Sequence, residues 1–386
     1  MKIVFTRFVF FILLFFISSM LFARQLIVCT SGCGYSSIQH AVDAASDGDT
    51  ILINVAGAFT ENHISISKNI VIRGLGQEVT FLQAHAKRGA AAHRIFYVDG
   101  GAIVVIENLT LQNGKETADP TLWKGSGSGI LIDGSSTSVE LNHVTIKHCD
   151  YAGVGMAGAG ITLGGVSTSL NMNDCLLENN IADNGGGGGI YIGANAGDVF
   201  IRSTAFQNNI AANGNGGAVL AEGKTAITFI GCIFTGNQAL NGNNGGAFYA
   251  DNAIPAFNNC LFSKNEADKD GGAMKVAGAD IANCSFYYNT ATNGGAISRG
   301  TVAVNNELYI TNCTLLNNTA TGFAPAGAGL HNASPAAVIH MTNTVIDKST
   351  SGIDLYLYAA NSLTTNQKNR VGRAKFTMGS ARFENN

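Results

Sequence analysis

Several ionisable side chains cluster between residues 143 and 202. His143, Lys147 and Asp150 lie within eight residues, and Asp174 and Arg202 follow further along the chain. Carboxylates of this kind can bind calcium or exchange protons, and a lysine or arginine can abstract a proton or stabilise developing charge on an acidic sugar. These residues could therefore form a catalytic site. Charged residues that only solvate the outer surface would give the same pattern, and that interpretation stays open.

Two early segments, 84–95 and 113–128, interrupt the repeat described below and could carry a binding surface without disturbing the core. Trp123, the only tryptophan, lies in the second segment. An exposed ring there could stack on a sugar, and half-burial against the body of the protein is an equal alternative. In the first segment, Arg88 and Arg94 are expected only to keep the loop solvated.

The elements that must position any such site belong to a repeat. A Phe-x-x-Asn motif, with Leu replacing Phe in its first and last copies, occurs at Leu177–Asn180, Phe206–Asn209, Phe234–Asn237, Phe262–Asn265, Phe286–Asn289 and Leu315–Asn318. A glycine motif alternates with it at Gly188-Gly189-Ile190, Gly216-Gly217-Ala218, Gly245-Gly246-Ala247, Gly271-Gly272-Ala273 and Gly294-Gly295-Ala296. A period of about 23 to 29 residues is typical of solenoids, propellers and arrays.

Short runs of alternating or β-branched residues, such as 226–230 and 308–311, predict strands joined by turns. No helical pattern separates these runs, so we predict an all-β fold in the form of a right-handed parallel β-helix. About ten coils at the strand spacing would make a rod of roughly 45 to 50 Å. The predicted equivalent positions are Ile70, Leu109, Val144, Cys175, Thr204, Cys232, Cys260, Cys284, Cys313 and Thr344.

Stacked coils turn each recurring residue into a ladder. The asparagines of the repeat are expected to bond one another along the rod and to satisfy backbone groups at a tight turn. Cys149 falls in the same register. The paired glycines indicate positive φ or close approach of neighbouring coils. We therefore expect both ladders to be structural.

Five of the eight cysteines fall on another ladder, at Cys175, Cys232, Cys260, Cys284 and Cys313. Buried cysteines can fill a narrow core as small apolar residues. Disulfides between neighbouring coils are a second interpretation, because the coil spacing lies within the permitted Cα separation. A metal site is disfavoured, since no Cys/His cluster with zinc spacing accompanies the ladder.

The first 23 residues have the pattern of a signal peptide, with Lys2 and Arg7 before an apolar run and Ala23 before the expected cut. We therefore expect an exported protein that is secreted, periplasmic or held at the cell surface. Cys29 and Cys33 could form a disulfide in such an oxidising compartment. Removal of the segment leaves 21 basic and 26 acidic residues, a formal charge of −5 that gives nucleic-acid binding no support.

A helix over Ser36–Ser46, with Ser36 and Gln39 as its capping box, is expected to cover the first coil. The predicted organisation is a signal peptide at 1–23, a β-helix at 24–350 with its cap at 24–49, and a second cap or basic tail at 351–386. That tail could associate peripherally with the cell envelope. The segments 35–51 and 70–74 resemble the pectin-lyase-like superfamily, which implies the fold and no activity.

The paired motifs between Cys175 and Asn318 resemble the passenger repeats of the chlamydial polymorphic membrane proteins. The resemblance implies an adhesin displayed at a bacterial surface, with a cell-surface glycan or a host or partner protein as its ligand. Members of that family end in an outer-membrane barrel, and the roughly 36 residues after the last predicted coil are too few to form one. We therefore expect a non-catalytic binding or structural rod that lacks the barrel.

The alternative function is a polysaccharide lyase or glycoside hydrolase that acts on a uronate-containing polysaccharide, because the pectin-lyase-like fold often carries such activities. The candidate catalytic residues would be His143, Lys147, Asp150, Asp174 and Arg202. Calcium would be needed only by a lyase, and the binding rod needs no cofactor.

Overall fold

The computed structural model describes residues 23–117, 127–153, 158–223, 225–300, 307–323, 326–334, 338–359, 363–366 and 369–378. In these residues the chain winds into a solenoid in which every paired strand runs parallel to its neighbours in adjacent coils. The predicted all-β class and parallel β-helix are confirmed. The one helix that the described residues form is Ile38–Ala44, and no helix in this part of the chain is long and apolar enough to cross a membrane.

Three parallel sheets run along the rod. Sheet A contains Gln25–Val28, Thr50–Ile53, Gly57–Thr60, Val71–Arg73, Thr80–Gln83, Ile103–Gln112, Ser138–Lys147, Ser169–Asn173, Leu176–Glu178, Val199–Arg202, Ala205–Gln207, Ile227–Ile230, Ile233–Thr235, Ala256–Asn258, Leu261–Ser263, Ala279–Ala282, Ser285–Tyr287, Leu308–Thr311, Thr314–Leu316, Ile339–Thr342, Val345–Asp347, Leu363–Asn366 and Arg370–Val371. Sheet B contains Ile64–Ile66, Phe96–Val98, Ile130–Ile132, Ile161–Leu163, Ile190–Ile192, Val219–Ala221, Phe248–Ala250, Met274–Val276, Ile297–Arg299, Gly327–Asn332, Ile353–Ala359 and Ala374–Met378. Sheet C contains Lys115–Glu116, Asp150–Tyr151, Ile181–Ala182, Ile210–Ala211, Gln238–Ala239, Glu266–Asp270, Thr290–Asn293 and Thr319–Ala320.

Alternation of apolar and polar side chains builds the core, because successive residues of a strand face opposite sides of the sheet. The phenylalanines of the repeat point inward and stack on one another, with ring centroids 4.7 Å apart for Phe206 and Phe234 and 4.6 Å apart for Phe234 and Phe262. The twelve strands described in sheet B set the length of the rod at about 53 Å.

The asparagine ladder forms as predicted. Asn237 is fully buried, and its Nδ2 donates to the Asn265 Oδ1 at 2.9 Å and to the Phe206 carbonyl at 2.9 Å. The same pair of bonds recurs at Asn180, Asn209, Asn265 and Asn289. At the amino-terminal end of the ladder, the Cys149 backbone N–H donates to the Asn180 Oδ1 at 3.0 Å, which confirms the predicted register of Cys149.

The glycine ladder has a different register from the predicted one in its first coil. Sheet B pairs Ile190 with Val219, so Gly187 and not Gly188 corresponds to Gly216. Both residues have positive φ, at 70° and 69°. The run of three glycines at 187–189 allowed either alignment, and the strand pairing decides between them.

Coil boundaries differ from the prediction at both ends of the rod. Sheet A pairs Phe81 with Thr110, so Thr80 and not Ile70 is the counterpart of Leu109. Ile70 precedes a strand that pairs with the first half of Ile103–Gln112. Strands of sheet A continue to Val371 and strands of sheet B continue to Met378, so the coils extend beyond residue 350.

The predicted basic tail is partly neutralised by the coil before it. The Arg370 Nη2 lies 2.7 Å from the Asp347 Oδ2, and the Arg373 Nε lies 3.6 Å from the Asp354 Oδ2. Lys368 and Arg382 lie outside the described residues. The pairing of two of the arginines weakens the charge argument for a tether to the envelope.

The capping helix begins at Ile38, with Ser37 rather than Ser36 as its N-cap. The Ser37 Oγ accepts from the His40 N–H at 3.3 Å, and the Glu61 carboxylate accepts from the backbone N–H groups of Ile38 and Gln39. A carboxylate that directly follows the strand Gly57–Thr60 therefore takes the place of the predicted capping box, because it satisfies the first N–H groups of the helix.

The cysteine ladder consists of free thiols. Cys175, Cys232, Cys260, Cys284 and Cys313 are all buried and unpaired, as is Cys149, and the structure favours the core-filling interpretation over disulfides between coils. Burial raises the pKa of Cys149 to about 12 and that of Cys175 to about 11, which disfavours the reactive thiolate. The disulfide in the described residues joins Cys29 and Cys33, whose Cα atoms are 5.8 Å apart.

We expect the folded chain to show no fast thiol reaction with a soluble aromatic disulfide reagent at pH 8. Unfolding without a reductant should expose the six thiols of the free cysteines, and prior reduction should raise the total to all eight. Four or fewer thiols in the unreduced, unfolded chain would contradict the free ladder and indicate disulfides between coils.

Candidate functional site

The five predicted catalytic residues are divided between two corners of the coil. His143 and Asp174 occupy the bend in the middle of sheet A, and the His143 Nε2 lies 3.2 Å from the Asp174 Oδ2. Arg202 lies one residue before the same bend, one coil beyond Asp174. Lys147 and Asp150 lie at the next corner, at least four residues further along the coil than His143. At about 3.3 Å per residue, roughly 13 Å of strand separates Lys147 from the bend at His143.

Backbone geometry explains His143 and Asp174. Both residues have a φ of 53°, and the equivalent positions in other coils also have positive φ. Those equivalents are Asn108, Ser203, Gly231, Asn259, Asn283, Asn312 and Asn343. Short polar side chains and glycine tolerate this conformation better than most residues do. The two side chains are at least half exposed, and the positive φ of the bend accounts for their residue types.

Arg202 has its own local partner. Its guanidinium carbon lies 4.5 Å from the centroid of the Phe200 ring on the outer face of sheet A. A guanidinium held over an aromatic face is a common surface contact. The structure does not bring Arg202 to Lys147 or Asp150.

At the second corner, Asp150 is engaged by Arg88. The Arg88 Nη2 lies 2.6 Å from the Asp150 Oδ1, and the Arg88 Nε lies 3.1 Å from each carboxylate oxygen. Arg88 also donates to the Asn179 carbonyl at 3.0 Å, and the Lys147 Nζ lies 3.9 Å from the Glu178 Oε1. Asp150 is therefore paired with Arg88, and Lys147 lies near Glu178, which leaves Asp150 poorly placed to act as a base.

These contacts fasten the segment 84–95 to the rod. The expectation that Arg88 and Arg94 only solvate a loop was wrong, because Arg94 is 5% exposed and its Nε lies 3.1 Å from the Glu116 Oε2. Burial and the nearby Arg88 lower the pKa of His148, and burial raises the pKa of Asp183. Trp123 lies outside the described residues. Among the residues that the structure describes, no group of three or more His, Cys, Asp or Glu side chains could hold a metal ion.

A second polar region lies on the outer face of sheet B. The central residue of each strand points away from the core, and a column of such residues runs along the rod: Ser65, Tyr97, Leu131, Thr162, Tyr191, Leu220, Tyr249, Lys275, Ser298, His331 and Tyr356. Many of these outward residues are nonetheless buried or half-buried. They form the floor of a depression, which we call the sheet B groove.

Turns before and after the strands provide the walls. On one side, a Cβ added to Gly186 would lie 2.4 Å from the Leu220 Cδ2, so the glycine turn packs directly against the floor. Asn244 and Asp270 belong to the same wall, and both accept hydrogen bonds from the Lys275 Nζ at 3.0 Å. Residues directly after the strands, such as Glu222, form the opposite wall.

Tyrosine hydroxyls and carboxylates pair along the groove. The Tyr97 hydroxyl donates to the Asp133 Oδ2 at 3.4 Å, and the Tyr191 hydroxyl donates to the Glu222 Oε2. In both pairs the carboxylate belongs to the next coil. It stands two residues after the residue that is paired with the tyrosine in sheet B. Tyr249 donates to Asp251 in its own coil. Burial, followed by the nearby carboxylates, raises the pKa of each of the three phenols, which therefore stay protonated and act as hydrogen-bond donors.

The carboxyl-terminal part of the groove holds a charge pair and an unpartnered histidine. Burial acts to raise the pKa of Asp270, but the hydrogen bond from Asn293 and the charge of Lys275 hold it below its ordinary value. His331 is 8% exposed and stacks on Tyr356 with ring centroids 5.0 Å apart. Its buried Nδ1 has no hydrogen-bond partner in the described residues, and burial lowers the pKa of the ring.

The sequence carries a signal for this groove that clustered charges do not reveal. From Leu131 onward, each floor residue stands four positions after a glycine, as Tyr191 does after Gly187 and Lys275 does after Gly271. The floor residues change type from coil to coil, so they form no visible motif by themselves. The glycine register would have selected the floor residues from Leu131 onward.

Comparison with known proteins agrees with the coil architecture. The model of a family described as "Right handed beta helix region" matches residues 36–278. No curated protein is similar enough in sequence to count as a match. The chain resembles the solved structure of ORF18 of Geobacillus virus E2 with a TM-score of 0.50 and 16% identity, over 79% of this chain and 57% of that one.

Two further solved structures are similar at lower scores. One is the catalytic unit of a GH87 α-1,3-glucanase from Streptomyces thermodiastaticus, with a TM-score of 0.47 and 12% identity over 92% of this chain and 69% of that one. The other is a mannuronic acid specific family 6 polysaccharide lyase from human gut microbiota, with a TM-score of 0.43 and 10% identity over 92% of this chain and 82% of that one. At these identities the likeness concerns the fold alone.

Proposed function

Since the chain belongs to the right-handed β-helix family, whose model matches more than half of its residues, we propose that it is a rod that binds a glycan chain along the sheet B groove. In this proposal the protein is exported, acts at a cell surface or in the medium, and binds without cleaving its ligand. The resemblance of its repeats to chlamydial surface proteins supports an adhesin-like role.

The observation that carries the proposal is the repeated pairing of tyrosines with carboxylates along one groove. Aromatic rings offer apolar faces to sugar rings, and carboxylate oxygens accept hydrogen bonds from hydroxyls. Tyr97 and Tyr249 are half-buried and present this combination at two levels of the rod, and the buried Tyr191 holds the Glu222 carboxylate between them. A polymer with a regular repeat suits such a surface better than a small molecule does.

The alternative, cleavage of a uronate polysaccharide, has less support. Proton abstraction from a uronate needs a free base and a cation beside the sugar carboxylate. Asp150 is paired with Arg88, His143 and Arg202 lie at another corner, and the groove tyrosines are held protonated. The five predicted catalytic residues therefore do not bring a free base and a free cation together.

The test uses two matched tyrosine variants and a broad panel of neutral, amine-bearing and acidic polysaccharides. For any polysaccharide of the panel that binds the parent chain, Tyr249→Ala in the groove should weaken the affinity about tenfold. The variant loses the aromatic ring and the hydroxyl that donates to Asp251. Tyr309→Ala is the control, since Tyr309 also donates to a carboxylate, that of Glu307, but lies on the outer face of sheet A. Its binding should stay within twofold of the parent chain.

Reducing ends and unsaturated products would be measured on the same samples. Turnover of any polysaccharide would contradict the non-catalytic role. A panel without any binding, or equal effects of the two tyrosine variants, would contradict the groove as a glycan site.

A further inference from the structure

We infer that the sheet B groove accepts a glycan without carboxylates, one made of neutral or amine-bearing sugars, and that it rejects polyuronates. This inference rests on the proposed glycan binding and names the substrate class. It follows from the charges in the groove and from one unsatisfied side chain on its floor.

The described residues of the groove between Tyr97 and His331 carry far more negative than positive charge. The carboxylates are Asp99, Asp133, Glu222, Asp251 and Asp270. Two cations lie beside the floor, and each is paired with a carboxylate: the Lys275 Nζ lies 3.0 Å from the Asp270 Oδ2, and the Nε of Arg94, next to the Tyr97 ring, lies 3.1 Å from the Glu116 Oε2. A polyuronate would bring one more negative charge with each sugar into a half-buried surface, where screening by solvent is weak.

The same carboxylates remain able to accept hydrogen bonds from a ligand. Each ionised carboxylate has about four acceptor positions. Glu222 receives one hydroxyl from Tyr191, and Asp251 receives one from Tyr249. The remaining lone pairs can take hydroxyl donors of a neutral sugar or, with a stronger charge-assisted bond, the ammonium of an amino sugar.

His331 supplies an independent indication of a ligand. A buried nitrogen without a partner is costly, and such atoms are usually satisfied by a bound group. The ring faces the pair of Asp270 and Lys275 and packs on Tyr356. The Nδ1 is itself buried, so a sugar hydroxyl that bonds it has to displace the groups that cover it at this level.

The experiment compares three hexasaccharides that share β-1,4-linked six-membered sugar rings: glucosamine, N-acetylglucosamine and mannuronate oligomers. Titration calorimetry with the full exported chain at pH 6 should show the glucosamine oligomer binding most tightly, the N-acetylglucosamine oligomer next and the mannuronate oligomer at least 30-fold more weakly than the glucosamine oligomer. The double variant E222Q/D251N should reduce glucosamine binding at least tenfold and change N-acetylglucosamine binding less than threefold. Higher salt should weaken only the glucosamine interaction.

The control is Asp280→Asn, which removes one carboxylate from the outer face of sheet A in the same part of the rod. It should leave all three affinities unchanged. Tightest binding of mannuronate, or absence of binding to both other oligomers, would overturn the inference. The polysaccharide panel separates this result from failure of the proposed function: a panel that binds only acidic polymers overturns the inference alone, and an empty panel overturns both.

Discussion

Replacing Asn237 with alanine is expected to lower the free energy of unfolding by about 4 kcal/mol. The side chain is fully buried and takes part in four hydrogen bonds. Its Nδ2 donates to Phe206 and Asn265, and its Oδ1 accepts from the backbone N–H and the Nδ2 of Asn209 at 3.0 Å each. Alanine would leave these partners buried without replacements, and each unsatisfied group costs roughly 1–3 kcal/mol before the structure relaxes.

The matched control for this prediction is Gln238→Ala in the adjacent position. The Gln238 side chain lies at the surface and donates one hydrogen bond, to Glu266 at 3.2 Å. Its loss should change the free energy by less than about 0.5 kcal/mol. Urea unfolding followed by circular dichroism would measure both variants, and equal stabilities would show that the ladder contributes little.

Gly272→Ala is expected to destabilise the rod by about 3 kcal/mol and to weaken glycan binding as well. An added Cβ would lie 2.2 Å from the Gly295 carbonyl oxygen and 2.5 Å from the Thr290 carbonyl oxygen. Both oxygens belong to the backbone of the next coil, so relief of the clash requires separation of coils. The turn also carries Asp270, and its displacement would move one wall of the groove.

Gly34→Ala is the control for this substitution, because nothing lies within 4 Å of the Cβ position at Gly34 and its φ is not in the left-handed region. Thermal unfolding and the calorimetric titration would be applied to both variants. A Gly272→Ala chain with the melting temperature and affinity of the parent would disprove the tight approach of coils at this turn.

Periodic residues made most of the fold predictable from the sequence. Phe206 and Asn209 recur in register because each must contact its own equivalent one coil away, and such a requirement is visible as a repeat. Irregular backbone was harder to predict. Residues 74–79 form a connection that shifts the register of the first coils. For this reason the repeat pattern points to Ile70 as the counterpart of Leu109, a position that Thr80 occupies in the structure.

The candidate site was less predictable because closeness in sequence is a poor guide to a site in a solenoid. His143 and Lys147 are four residues apart but lie at different corners, and the type of His143 reflects the positive φ of its bend. Conversely, Tyr249 and Lys275 are far apart in sequence and adjacent in space. Their side chains face outward and need not match an equivalent side chain one coil away, so their types can differ and leave no repeat in the sequence.

The glycine turns allow the rod to change in length during evolution. Their spacing varies from one coil to the next, while the positions that form ladders stay in register. Recombination between repeats could therefore add or remove a whole coil and still leave every inward residue opposite an equivalent one. Each such event would lengthen or shorten the groove by one strand spacing of about 4.8 Å. The number of sugars that a descendant of this protein could hold would then change in steps, without redesign of its core.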